Sequence, residues 1–140
     1  MEVGLGICMD INPEEFEAPW TDYEFANFNK KNSSKLIIFS SAWCDRHPSD
    51  IGPSKAIDGL ETINYWCNRL APLLGDDVYI LISDRVGKEP LSFYREGAIG
   101  QTVFCGSSCV ISLKEPRLLG MLDTTEESAL VVDIPVSSTP

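Results

Sequence analysis

The 140-residue sequence has no apolar run near the eighteen or more residues of a membrane span, which excludes a bilayer-crossing helix. Positive charge is scarce: 11 Lys and Arg stand against 21 Asp and Glu, a net charge of −10. No basic cluster rises above that background, and an acidic surface repels phosphate backbones, so no nucleic-acid partner is expected. Histidine occurs once, at His47, and no second cysteine pair stands at ligand spacing. Cys105 and Cys109 are four apart, not the three of a C-x-x-C motif. No metal site is therefore expected, and no other cofactor. A basic leader is missing too, since Glu2 and an apolar strand follow Met1 directly, so no secretory signal is expected. Five cysteines are an odd number in a chain long enough to fold without covalent staples. They point to reduced thiols and a cytoplasmic location.

What is present is an ordinary globular composition, 44% hydrophobic and 23% charged, enough for one domain with a buried core. The acidic excess reads as simple solubility, or as a surface that favours cationic substrates such as peptides with free amino termini. Residues 3–8 form a short apolar strand. Thr21, Asp22, Tyr23 and Glu24 make a capping-box pattern that starts a helix to about Lys31, with Tyr23, Phe25, Ala26 and Phe28 for its buried face. Residues 36–39 are continuously apolar, the pattern of a strand covered on both faces. Residues 44–54, with Pro48, Gly52 and Pro53, read as a loop.

Asp58 and Glu61 cap a second helix to about Leu74, with Leu60, Ile63, Trp66, Cys67, Leu70 and Leu74 along one side. Pro72 is set to bend it or end it early. Residues 78–82 form a second continuous apolar strand, so strand, helix and strand make a parallel β-α-β unit. Short β segments at 102–105, 107–113, 118–122 and 129–134 predict an antiparallel finish to the sheet, and residues 136–140 a loose tail. The fold class is α/β with a mixed sheet.

The chain is organised around residues 3–13, where an apolar strand ends at Cys8 and polar, proline-broken sequence follows. A thiol at such a corner is held by the sheet yet reachable from outside, which suits a nucleophile. Taken alone, a cysteine in an apolar run reads more often as a small buried hydrophobe.

Four ordered stretches decide between these readings. The run GLGICMDINPEEFEAPW from Gly4 resembles the nucleophile segment of the carbon–nitrogen hydrolase (nitrilase) superfamily. Met9 after the cysteine, and Phe16-Glu17-Ala18-Pro19 beyond it, resemble the branch of protein N-terminal asparagine/glutamine amidases. The run from Leu36 to Trp43 is similar to that family's next strand, and the run from Val78 to Gly87 to its strand and "N-R-x-G" turn. Phe104-Cys105-Gly106-Ser107-Ser108 resembles its F-x-G-x-S segment.

The resemblance implies an α-β-β-α sandwich of which residues 1–135 are the C-terminal part. It implies Cys8 as the catalytic thiol and the backbone amide of Met9 as an oxyanion donor. It also implies a Glu and a Lys upstream of the cysteine, and Cys8 lies too near the start for this chain to hold them. The chain alone is therefore expected to be inactive. A strand that opens the chain points the same way, because termini usually lie at a surface.

Asp10 is a candidate for binding a substrate ammonium or for holding the corner as a turn residue. Trp43 is a candidate pocket wall or a core residue. Glu14, Glu15 and Glu17 form a solvated acidic loop or meet the substrate's amino group. His47 is weighed as a substitute base for Cys8, and Cys105 with Cys109 as a redox pair, although four residues of strand span roughly 13 Å, too far to bridge. The expected substrates are protein or peptide N-termini, deamidated at Asn or Gln. The alternative is a truncated, non-catalytic polypeptide that acts, if at all, by association through exposed sheet or helix faces.

Overall fold

The computed structural model describes residues 1–44, 58–90, 92, 96–97 and 100–135. His47, most of the expected loop at 44–54 and the tail at 136–140 lie outside these residues. Strand β1 (Val3–Ile7), helix α1 (Glu24–Lys31), β2 (Leu36–Ser41), helix α2 (Gly59–Arg69) and β3 (Tyr79–Asp84) follow in order. A small ribbon of β4 (Lys88–Pro90) and β5 (Gln101–Val103) precedes β6 (Cys109–Ser112) and β7 (Arg117–Met121).

The main sheet runs β1-β2-β3-β6-β7. β1, β2 and β3 are parallel, whereas β6 and β7 add antiparallel, so the mixed sheet expected from the sequence is present. Only the parallel strands need crossovers, and α1 and α2 supply them. The β4–β5 ribbon is separate, and residues 129–134, expected as a strand, form none. Leu130 and Val132 pack instead over Gly120 of β7.

One face of the sheet is covered. Ile37, Phe39, Ile80, Ile82 and Ile111 are buried there with Ile63 and Trp66 of α2, Leu70 just after it, and Phe25 and Ala26 of α1. β1 contributes glycines to this face because α1 passes close above it. A Cβ at Gly6 would lie 2.5 Å from the Phe25 ring, which rests on Phe39 at 5.8 Å between centroids. Gly4 leaves room for the buried Asn29 amide, which donates to the Phe25 carbonyl and accepts from Ser34 Oγ at 2.9 Å.

The opposite face of β1 and β2 is open, which corrects the expectation of strands covered on both sides. Leu5 is 72% and Ile7 65% exposed, with Val3 and Ile38 also exposed beside them. A continuous apolar run shows that both faces are apolar, not that both are covered within this chain.

The helices differ from the periodicity reading at their edges. Tyr23, with φ +47, starts α1 without a side-chain cap, so the capping box at Thr21 does not form. Asn27 Nδ2 holds the preceding 3-10 turn (Trp20–Asp22) through the Asp22 carbonyl. Phe28 is exposed and Asn29 takes its expected place inside. In α2, Asp58 Oδ1 caps Leu60 N–H at 2.9 Å, as expected, and the helix gives way to a 3-10 turn around Pro72. Leu60 and Leu74 are exposed, and Arg69 is buried instead.

Candidate active site

β1 delivers Cys8 to the end of the sheet, where the chain turns at once into a 3-10 turn (Cys8–Ile11). Cys8 has φ +31, a region that L-residues other than Asn and Asp seldom enter and that marks stored backbone strain. The turn is held from both sides. Asp10 Oδ2 accepts from Ile7 N–H at 2.8 Å, and Asn12 N–H donates to the Met9 carbonyl at 2.9 Å. Tyr65 of α2 donates its hydroxyl to Asn12 Oδ1 at 2.6 Å, while Asn12 Nδ2 reaches Met9 Sδ.

Arg69, also from α2, is the strongest anchor and the residue that sequence reasoning missed. It is 1% exposed, yet it is fully engaged. Nε donates to the Ile11 carbonyl at 2.7 Å, Nη1 to the Trp20 carbonyl, and Nη2 lies 3.4 Å from Glu24 Oε2. Its guanidinium sits 4.6 Å from the Trp20 ring centroid and 5.0 Å from that of Tyr23. One planar fork thus fixes the whole segment after Cys8. The available signal was its place three residues after Trp66 and next to Leu70, on the edge of the buried stripe.

Cys8 is half-buried, and its sulfur lies 3.7 Å from Ser41 Oγ at the end of β2. Across the next strand, Asp84 ends β3 and is Ser41's register partner. Asp84 is buried. Its Oδ1 accepts from Trp43 N–H at 2.8 Å, and its Oδ2 has no hydrogen-bond partner among the described residues. Burial pushes its carboxyl up to about 6, against the pull of Trp43 N–H, the Ser41 hydroxyl and the Arg85 N–H. Burial also raises the Cys44 thiol, and the nearby Cys8 and Asp84 add to the rise.

Residues 104–108 close the row from the far side. Cys105 N–H donates to the Trp43 carbonyl, and Gly106 N–H to that of Arg85. Ser108 Oγ accepts from Asp84 N–H at 2.9 Å and donates to its carbonyl. Gly106, at φ +57, is required here because a Cβ would run into the Thr124 backbone.

Of the residues marked from the sequence, Cys8, Met9 and Asp10 share one corner. Asp10 serves as the turn residue there, its carboxylate exposed. Trp43 is buried with its ring 5.2 Å from Tyr65 and 6.0 Å from Trp66, in the core cluster. Glu14, Glu15 and Glu17 are exposed. Cys105 and Cys109 are both buried, and burial pushes the Cys109 thiol up to about 12, so neither suits ready oxidation. No group of His, Cys, Asp and Glu among the described residues could hold a metal. No helix among them is long and apolar enough to cross a membrane.

No family model matches the chain. It is 29% identical to the protein N-terminal amidase of Schizosaccharomyces pombe, in an alignment covering 94% of this chain and 47% of that protein. The chain thus spans about half the length of that curated relative. A crystal structure of N-terminal amidase with an Asn-Glu-Ala peptide matches with a TM-score of 0.67 at 16% identity, over 88% of this chain and 57% of the other. A carbon-nitrogen hydrolase from Helicobacter pylori G27 matches with a TM-score of 0.57 at 22% identity, over 89% of this chain and 37% of the other. Most of this chain therefore shares its fold with part of each of these structures.

Proposed function

We propose that this chain, which has the fold of the carbon–nitrogen hydrolases, is the thiol-bearing part of an amidohydrolase acting on N-terminal Asn or Gln of proteins and peptides. The observation that carries the reading is Cys8 itself: half-buried, strained at φ +31, and held at the end of a parallel strand by Asp10, Asn12 and Arg69. That is how a nucleophile is presented to a substrate without losing its position. The thiol attacks the side-chain amide carbon, ammonia leaves, and water cleaves the acyl-thioester. The Met9 N–H, next along the chain, faces the oxyanion. Asp10 offers its exposed carboxylate to the substrate's ammonium, and the Trp43 ring backs the site from the core.

In this reading the remaining Glu and Lys come from an upstream segment, and the compartment is the cytoplasm. The test is ammonia release from peptides beginning with Asn or Gln, measured on the 140-residue chain and on a protein that also carries the upstream segment. Release by the longer protein alone is the expected result. Release by neither sinks the proposal.

The open sheet face favours a second reading, a non-catalytic polypeptide that works only by association. Leu5, Ile7 and Ile38 form an apolar patch of the kind that soluble monomers seldom leave uncovered. The isolated chain is expected to self-associate and to bind a hydrophobic dye. Leu5→Lys together with Ile38→Lys shifts it to monomer, because both side chains point away from the core. Analytical ultracentrifugation checks this, and a clean wild-type monomer without dye binding counts against it.

A further inference from the structure

We infer that Tyr65 and Asn12 are positioning residues for the reaction, through which helix α2 aims the backbone N–H of Met9. The inference rests on reading Cys8 as the nucleophile and Met9 N–H as the oxyanion donor. It adds the residues that hold that donor in place.

The Met9 N–H belongs to the peptide that follows Cys8, whose φ of +31 is a conformation the chain leaves unless something holds it. Asn12 grips Met9 at two points. Its backbone N–H donates to the Met9 carbonyl at 2.9 Å, and its Nδ2 reaches Met9 Sδ at 3.7 Å. Asn12 is only 4% exposed, so its amide depends on protein partners and not on bulk water. A thioether carries no hydrogen and can only accept, so the amide nitrogen must face Met9 and the amide oxygen must face away. Tyr65 meets that oxygen with its hydroxyl at 2.6 Å. The hydroxyl therefore fixes the amide the one way round that clamps Met9.

Tyr65 is itself fixed. Its ring lies edge-on to Trp20 at 5.5 Å between centroids, and 5.2 Å from Trp43. One turn further along α2, Arg69 grips the carbonyls of Ile11 and Trp20. Arg69 thus secures the segment as a whole, whereas Tyr65 acts on one amide. Attack of the thiol moves an electron pair onto the oxygen of the substrate amide. A donor held still stabilises that charge better than one that wanders.

The experiment compares two reactions of Cys8 in a protein that carries this chain with its upstream segment. Hydrolysis of a peptide beginning with Asn or Gln builds an oxyanion, whereas alkylation of the thiol by iodoacetamide displaces iodide and builds none. Tyr65→Phe removes one hydroxyl and keeps the ring contacts. It is expected to lower kcat for ammonia release by roughly tenfold, the scale of one hydrogen bond, with KM and the alkylation rate within about twofold of wild type. That is less than the hundredfold or more, roughly, that deleting an oxyanion donor outright costs. Met9→Leu keeps the bulk and removes the sulfur, and Tyr65→Phe added to it is expected to cost little more, because both act through Asn12. Independently of activity, the 140-residue chain labelled with 15N-methionine gives backbone amide signals for Met9 and Met121. Tyr65→Phe is expected to move or broaden the Met9 signal and to leave that of Met121, on the far edge strand β7, in place.

A kcat within about twofold of wild type in Tyr65→Phe, or an unmoved Met9 signal, overturns the inference. So does alkylation that slows in step with ammonia release, because the pair would then hold the thiol or the fold and not the donor. Failure of the amidase reading looks different: ammonia release is absent, or indifferent to Cys8→Ala, whatever the Met9 signal does, and the inference falls with it.

Discussion

Cys8→Ala, in a protein that carries this chain with its upstream segment, lowers ammonia release from peptides beginning with Asn or Gln by roughly a thousandfold or more. Removing a covalent nucleophile deletes the reacting atom itself, so no neighbouring group compensates. The loss is expected in kcat, with KM little changed, since the thiol contributes to bond making more than to ground-state binding. Stability is expected to shift by only about 1 kcal/mol, because Cys8 is half-buried and Ala removes a single atom from the edge of the core. The measurement is steady-state ammonia release together with a thermal melt. Unchanged turnover in a folded variant removes Cys8 from the chemistry.

Arg69→Met is expected to be the most destabilising single change, at about 3 kcal/mol. Methionine fills much of the same volume, so the loss is chiefly of hydrogen bonds and not of packing. The carbonyls of Ile11 and Trp20 would be left without their donor, and Glu24 without its ion pair. Each stranded group costs about 1–3 kcal/mol where water cannot replace the partner. Against a typical total of about 5–15 kcal/mol, that is a large fraction. With a urea slope of about 1–3 kcal/mol per molar, the unfolding midpoint moves by at least about 1 M.

Amide hydrogen exchange gives the local readout. Residues 8–24 lose protection more than the strands, because Arg69 ties that segment to α2. Arg69→Lys restores only part, since an ammonium cannot reach two carbonyls in the fork geometry. A midpoint within about 0.3 M of wild type would sink the assignment of Arg69 as the anchor.

The sequence by itself determined the α/β class, the parallel β-α-β order and the corner at Cys8. These depend on local pattern: apolar runs, helical spacing, the Asp58 cap, and Pro72 as a stop. It also placed Met9 and Asp10 beside Cys8, because neighbours in the chain need no fold to meet. Tertiary structure decided the rest. Phe28 and Leu60 sit on apolar stripes yet face solvent, since a stripe gives the direction of a core and not its width. Arg69 did not stand out in the sequence, and two distant carbonyls, the Glu24 carboxylate and two aromatic rings make its burial tolerable.

The same holds for the row of Cys8, Ser41 and Asp84. These residues are 33 and 43 positions apart along the chain. Strand register alone brings them side by side, and register is set by which faces the helices cover, which no single stretch of sequence contains.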